Sequence, residues 1–312
     1  MKKLSIYLAA ALCLFTAYSC KDDEETTTKP SLSGMYLEGG IAYVAKGETQ
    51  HFTIDISSLT TTSDDMPVVI GLCWQANSAK FDTLTTDVRL NPVKEFSYRA
   101  DTLGSYTITC YAFTPDNSHY SASTNSVFKA IDPSGAIQGI TVSPTPGESY
   151  ISFTSGSLRW MAENLHETGS GAAYQGCEVM NTVFGRYYTY VEALTACPSG
   201  WRLPTAAEWD ALGTDAGKLM ADATFMDSKL WPYTKEVKIT NETGFNAIPV
   251  GYLDSSAYYT TNVGEKEYAA FWTADAKDAT LAYYRYIYAK NPVVQKGEGS
   301  RTSLALSVRC VK

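Results

Sequence analysis

Cys197-Pro198-Ser199-Gly200-Trp201-Arg202-Leu203-Pro204-Thr205-Ala206-Ala207-Glu208-Trp209-Asp210-Ala211-Leu212 reads as a turn that delivers the chain into a short helix. Thr205 followed three residues later by Glu208 is a capping box, in which hydroxyl and carboxylate each satisfy an orphan backbone amide of the first turn. A helix is therefore expected to start near Ala206 and run through Trp209 and Leu212. Upstream, Tyr190 to Thr195 suits another short helix that ends before Cys197-Pro198. Downstream, Gly244, Pro249 and Gly251 punctuate loops, while Ala282 to Tyr288 and Ser303 to Val311 alternate as strands do. This half of the chain is expected to be α+β, with two short helices on a small, curved antiparallel sheet and long loops.

The same region carries further phrases in a fixed order: Trp160-Met161-Ala162-Glu163-Asn164-Leu165, Phe184-Gly185-Arg186-Tyr187-Tyr188-Thr189-Tyr190, Thr243-Gly244-Phe245-Asn246-Ala247-Ile248-Pro249-Val250-Gly251-Tyr252, Phe271-Trp272-Thr273 and Leu306-Ser307-Val308-Arg309-Cys310-Val311-Lys312. With the opening stretch they resemble the Fibrobacter succinogenes major paralogous domain family over roughly residues 150 to 312. The resemblance implies a C-type lectin-like fold, shared with formylglycine-generating enzymes. It also implies that the helix region and the terminal strand are neighbours, so a Cys197–Cys310 disulfide is expected. Cys177 is then left over, and the domain is expected to span residues 139–312.

Residues 34–132 read differently, as short strands with period-two alternation and turn punctuation. His51-Phe52-Thr53-Ile54-Asp55-Ile56, Val68 to Trp74, Glu95 to Ala100 and Tyr106-Thr107-Ile108-Thr109-Cys110-Tyr111-Ala112 are the clearest. Such spacing means an all-β sandwich. Gly71-Leu72-Cys73-Trp74 and Asp101-Thr102-Leu103-Gly104-Ser105-Tyr106-Thr107-Ile108-Thr109-Cys110 resemble bacterial Ig-like domains of the PKD-like type. In such a sandwich Trp74 would be core and Tyr106 would make the corner hydrogen bond. Alternation puts Cys110 inside and Cys73 on the face opposite Trp74, so no bridge between these two cysteines is expected. Asp132 to Gly139 and Ser143 to Gly147 carry the breakers of a domain boundary.

The N-terminus has Lys2 and Lys3, a short apolar stretch from Leu4 to Thr16, then Ala17-Tyr18-Ser19-Cys20 and the run Lys21-Asp22-Asp23-Glu24-Glu25. The apolar stretch is too short to cross a bilayer, which takes about 20 residues, and reads as an export signal over residues 1–19. It resembles a bacterial lipoprotein signal with Cys20 as the lipidated residue, and the acidic run resembles the surface-export signal of Bacteroidetes-type lipoproteins. Residues 20–33 would then tether the first domain to the outer face of the outer membrane, with the bilayer as partner through acylated Cys20.

Cleavage before Cys20 leaves 23 basic and 33 acidic side chains, taking the formal charge from −8 to −10. With no basic run, that balance argues against nucleic acid as a partner. No CxxC, HExxH or His-rich tract is present and the three histidines are scattered, so no metal or other cofactor is expected.

Three functions compete. A non-catalytic binding module, with a glycan or glycoconjugate as ligand, is favoured by the lectin-like resemblance and by aromatics in loop-rich segments. Tyr252, Tyr258, Tyr259, Tyr283 and Tyr284 are the candidate contacts, since tyrosine offers rigid area that stacks on apolar sugar faces. Trp231 and Trp272 are more readily explained as core. A structural or adhesive subunit contacting other surface proteins is the second reading, which a long unpaired edge strand would favour. A formylglycine-generating type of enzyme is the third and most remote, because that chemistry needs a close pair of reactive cysteines and Cys310 stands alone.

Overall fold

The computed structural model describes residues 29–63, 65, 67–87, 92–143, 150–254 and 263–312. The signal segment, Cys20, the Lys21, Asp22, Asp23, Glu24 and Glu25 run, and Tyr258 and Tyr259 lie outside the described residues.

Two larger β-sheets face each other in the first domain, beside a two-stranded one that pairs Leu32–Ser33 with Thr60–Thr61. One has five strands in the order Tyr43–Ala45, Ala122–Ile131, Gly104–Phe113, Val69–Ala76 and Ala79–Asp87; the other has three, Tyr36–Gly39, Thr49–Asp55 and Val93–Arg99. Tyr43–Ala45 runs parallel to Ala122–Ile131, and the remaining pairs of both sheets are antiparallel. The faces meet over Ile54, Ile70, Leu72, Trp74 and Cys110, all almost completely buried. This is an Ig-like sandwich. Tyr106 closes the corner before its strand: its hydroxyl donates to the Thr102 carbonyl at 2.9 Å and accepts from the Thr102 amide at 3.1 Å. Cys110 is buried and Cys73 half-buried on the other face, and both are free thiols. Burial, with Cys73 nearby, pushes the Cys110 thiol up to about 12, which makes it inert.

The sandwich is continuous with the second domain. Ile137–Gln138 pairs antiparallel with Thr224–Phe225. Ile131 and Ile137 share one core with Tyr174, Cys177, Met180, Phe184 and Ile248, and Tyr43 packs against it. The linker is pinned as well, because the buried Glu163 carboxylate accepts from the Ser143 amide and from the Ile151 amide, each at 2.6 Å.

In the second domain the helix Ala206–Leu212 starts after Thr205 with both halves of the capping box made. The helix Tyr190–Ala196 has a second capping box, Thr189 with Glu192. A three-stranded antiparallel sheet, Tyr268–Ala276, Leu281–Tyr288 and Gln295–Ser300, packs its Phe271 and Ile287 side against Trp160, Trp209 and Phe245. The long terminal strand expected over Ser303 to Val311 does not form. Leu304–Leu306 alone is a strand there, and every residue from Ala305 to Val311 is buried, because this segment is enclosed on both sides. Arg159 and Lys312 exchange backbone hydrogen bonds at 2.8 and 2.9 Å, and so do Arg202 and Val311, sewing the C-terminus between the domain's first hairpin and the Trp201–Arg202 turn. Cys197 and Cys310 form a disulfide there, their Cα atoms 6.0 Å apart.

Arg309 holds this seam together. Fully buried, it donates to Asn164 Oδ1, and to the carbonyls of Met161, Phe245 and Asn246, with the Phe245 ring 4.5 Å beneath the guanidinium. Burial pulls its pKa down, and the charge of the Glu163 carboxylate offsets part of that shift.

Candidate functional site

Along Leu281–Tyr288 the alternation of a strand sends Tyr284, Tyr286 and Tyr288 to one face and Tyr283, Arg285 and Ile287 to the other. Register then adds neighbours. Tyr268 lies opposite Tyr288 and Trp272 opposite Tyr284 on one side, while Gly297 lies opposite Tyr284 on the other. The rings form a connected surface. Tyr268 stacks on Tyr288 at 4.8 Å, Tyr284 and Tyr286 are 5.8 Å apart, and Tyr284 stands edge-on to Trp272 at 5.9 Å.

Trp272 is the floor of this surface, fully buried with its indole N–H donated to the Tyr188 carbonyl at 2.8 Å. The tyrosines above it are only half-buried. Tyr284 can pack across the neighbouring strand because that strand has glycine there: a Cβ at Gly297 would come within 2.3 Å of Tyr284 Cζ. Tyr252 packs into the same cluster as Tyr284. Burial first, and then the neighbouring phenols, raise the pKa of Tyr284 and of Tyr268. The hydroxyls of these two therefore stay neutral and can both donate and accept at physiological pH.

Of the candidates read from the sequence, Tyr252 and Tyr284 come together here. Tyr283 does not, being on the opposite face, where Arg285 ties the strand to the helix through two bonds to Asp210 Oδ1 at 3.0 and 2.9 Å. The Tyr252 and Val263 backbones are bonded to each other at 3.1 and 2.9 Å, and the adjoining Gly251 amide donates to the Tyr268 carbonyl at 2.8 Å. Trp231 is core, its indole bonded to the Ala247 carbonyl. Tyr268, Tyr286 and Tyr288 are members of the face that sequence reasoning missed, although the Tyr-x-Tyr-x-Tyr spacing of residues 284 to 288 carries the signal. Among the described residues no group of three or more His, Cys, Asp or Glu side chains is placed to hold a metal ion.

No curated protein matches the chain. Among solved structures it is similar to the CARDB domain of a Pyrococcus furiosus protein, 13% identical with a TM-score of 0.24 over 34% of this chain and 97% of that one. It is also similar to the Yersinia pseudotuberculosis adhesin InvE, 11% identical with a TM-score of 0.26 over 89% of this chain and 70% of that one. Residues 154–312, about half of the chain and all of the tyrosine face, match the Fibrobacter succinogenes major domain, and the protein belongs to that family.

Proposed function

We propose that the chain is a non-catalytic binding module displayed on the outer membrane surface through a lipidated Cys20, and that it takes glycan on the tyrosine face. The observation that carries this reading is the connected row Tyr268, Tyr284, Tyr286 and Tyr288, half-buried, with Tyr284 packed against a buried tryptophan and a glycine. Contiguous aromatic area with phenol hydroxyls suits sugar rings, which present apolar C–H faces rimmed by hydroxyls. A C-type lectin-like fold for the second domain is supported by the meeting of its first hairpin with its last residues and by the bridge from the helix region to the C-terminal segment. The test is a glycan panel probed with residues 29–312: binding above background that disappears in Tyr286→Ala supports the reading, and a blank panel defeats it.

One observation bears on the assembly-subunit reading. Ala79–Asp87, nine residues long, is an outer strand of the five-stranded sheet, hydrogen-bonded to Val69–Ala76 on its inner side. A bulge opposite Trp74 and Gln75, and Asp82 in the middle of the strand, blunt that edge against further pairing. A lipid-free chain that sediments as a monomer at all concentrations would count against self-assembly through this edge.

A further inference from the structure

A concavity of about 130 Å³ lies where the two domains meet. The sandwich contributes Tyr43 and Lys129, and the second domain contributes Tyr174, Phe225, Glu265 and Lys266. Its walls are aromatic: Tyr43 meets Phe225 edge-on at 5.9 Å, and Phe225 in turn packs on Phe184 at 4.9 Å. The Glu265 carboxylate is oriented from below, accepting from the Gln175 amide at 3.2 Å and facing the Tyr174 phenol, whose pKa burial and this carboxylate together raise.

Around that acidic group stand Lys129, Lys229 and Lys266. Lys229 is paired with Asp222. Among the described residues Lys129 and Lys266 have no ion pair. The cleft thus offers two uncommitted cations, one fixed carboxylate acceptor and an aromatic wall, in a chain whose overall charge is negative. A bare phosphate would meet the cations but has no apolar face for the aromatic wall, while a neutral sugar would leave the cations unused. A group with both a carboxylate and hydroxyls uses every wall, its anion between the lysines and its hydroxyls donating to Glu265. The volume suits the end of one ring and is below the range of about 300 to 1,000 Å³ typical of drug-sized sites.

We propose that this interdomain cleft binds the acidic end of a sugar such as a uronate, using residues of both domains, so that the ligand bridges them. The cleft shares no lining residue with the tyrosine face, and the proposal does not depend on that face. The experiment is isothermal titration of residues 29–312 with D-glucuronate, D-glucose and inorganic phosphate. Saturable glucuronate binding is expected, with neither glucose nor phosphate matching it. Lys129→Ala and Lys266→Ala should each weaken it at least tenfold without changing the melting temperature, Lys266→Arg should restore most of it, and Tyr286→Ala should leave it unchanged. Absence of glucuronate binding at millimolar concentration, phosphate or glucose binding as tightly, or indifference to both lysine substitutions would overturn the proposal.

Discussion

Gly297→Ala tests whether the tyrosine face is built as described. The added methyl would lie 2.3 Å from Tyr284 Cζ and 2.6 Å from its Cε2 and hydroxyl oxygen. Carbon atoms pack best at about 3.5–4.0 Å, so the ring must retreat by roughly 1.2 Å or more. Tyr286 at 5.8 Å and Trp272 at 5.9 Å already crowd it. Overpacking of this kind costs about 1–3 kcal/mol, which for a domain of this size lowers the melting temperature by roughly 2–4 °C per kcal/mol. In a Tyr284→Ala background the obstruction is gone, and the same substitution should be neutral or stabilising by about 0.5–1 kcal/mol through the lost freedom of glycine. The two changes should therefore couple by at least about 1 kcal/mol in a double-mutant cycle. Unfolding of the four proteins, followed by tryptophan fluorescence on residues 29–312, measures it. If Gly297→Ala costs the same with and without the Tyr284 ring, the ring does not rest on that glycine and the face is wrongly drawn.

Arg309→Met should abolish soluble expression or lower the melting temperature steeply, because it strands four acceptors, three of them buried at about 1–3 kcal/mol each; a mild shift in a thermal melt would show that the seam tolerates their loss. Two bonds from the Arg202 guanidinium, at 2.8 and 2.5 Å, together with the Thr205 amide, lower the Glu208 pKa to about 2. Its folded value lies below its unfolded one, so its contribution is full above about pH 4.5 and is lost as pH falls toward 2. Glu208→Gln should accordingly be less stable at pH 7 and lose less on acidification, and parallel stability–pH curves would count against the pair. Cys20→Ala should release the protein from membranes in a fractionation assay. Neutral replacements from Lys21 to Glu25 should leave it anchored but protected from protease added to intact cells, and continued shaving would refute the surface-export reading.

Local chemistry is the legible part of this chain. Thr205 with Glu208 announces its helix because a capping box is a short-range device, and the alternation around Tyr106 announces both its strand and the burial of Cys110. The features that cannot be read depend on register and on distant packing. Tyr283 and Tyr284 are adjacent in sequence and equally plausible as contacts, yet a strand sends them to opposite faces, and only the pairing with Tyr268–Ala276 shows which face is shared. The terminal segment alternates in sequence but is buried on both sides, because Arg309 finds its acceptors on residues 145 and 63 to 64 positions away. The core shared by Ile131, Ile137 and Phe184 likewise joins two regions that composition alone divides. A fragment beginning at residue 139 would expose that core, so binding is best measured on residues 29–312.

Assignment of the tyrosine face as the ligand surface is tested most directly by the affinity of the strongest glycan from the panel. It is measured for the unmodified protein, Tyr286→Ala and Tyr283→Ala, with a thermal melt of each. Tyr286→Ala should lose about 1–3 kcal/mol of binding, as an interface anchor does, at an unchanged melting temperature, and Tyr283→Ala on the opposite face should bind as the unmodified protein does. Equal losses in both variants, or full affinity in Tyr286→Ala, would contradict the assignment.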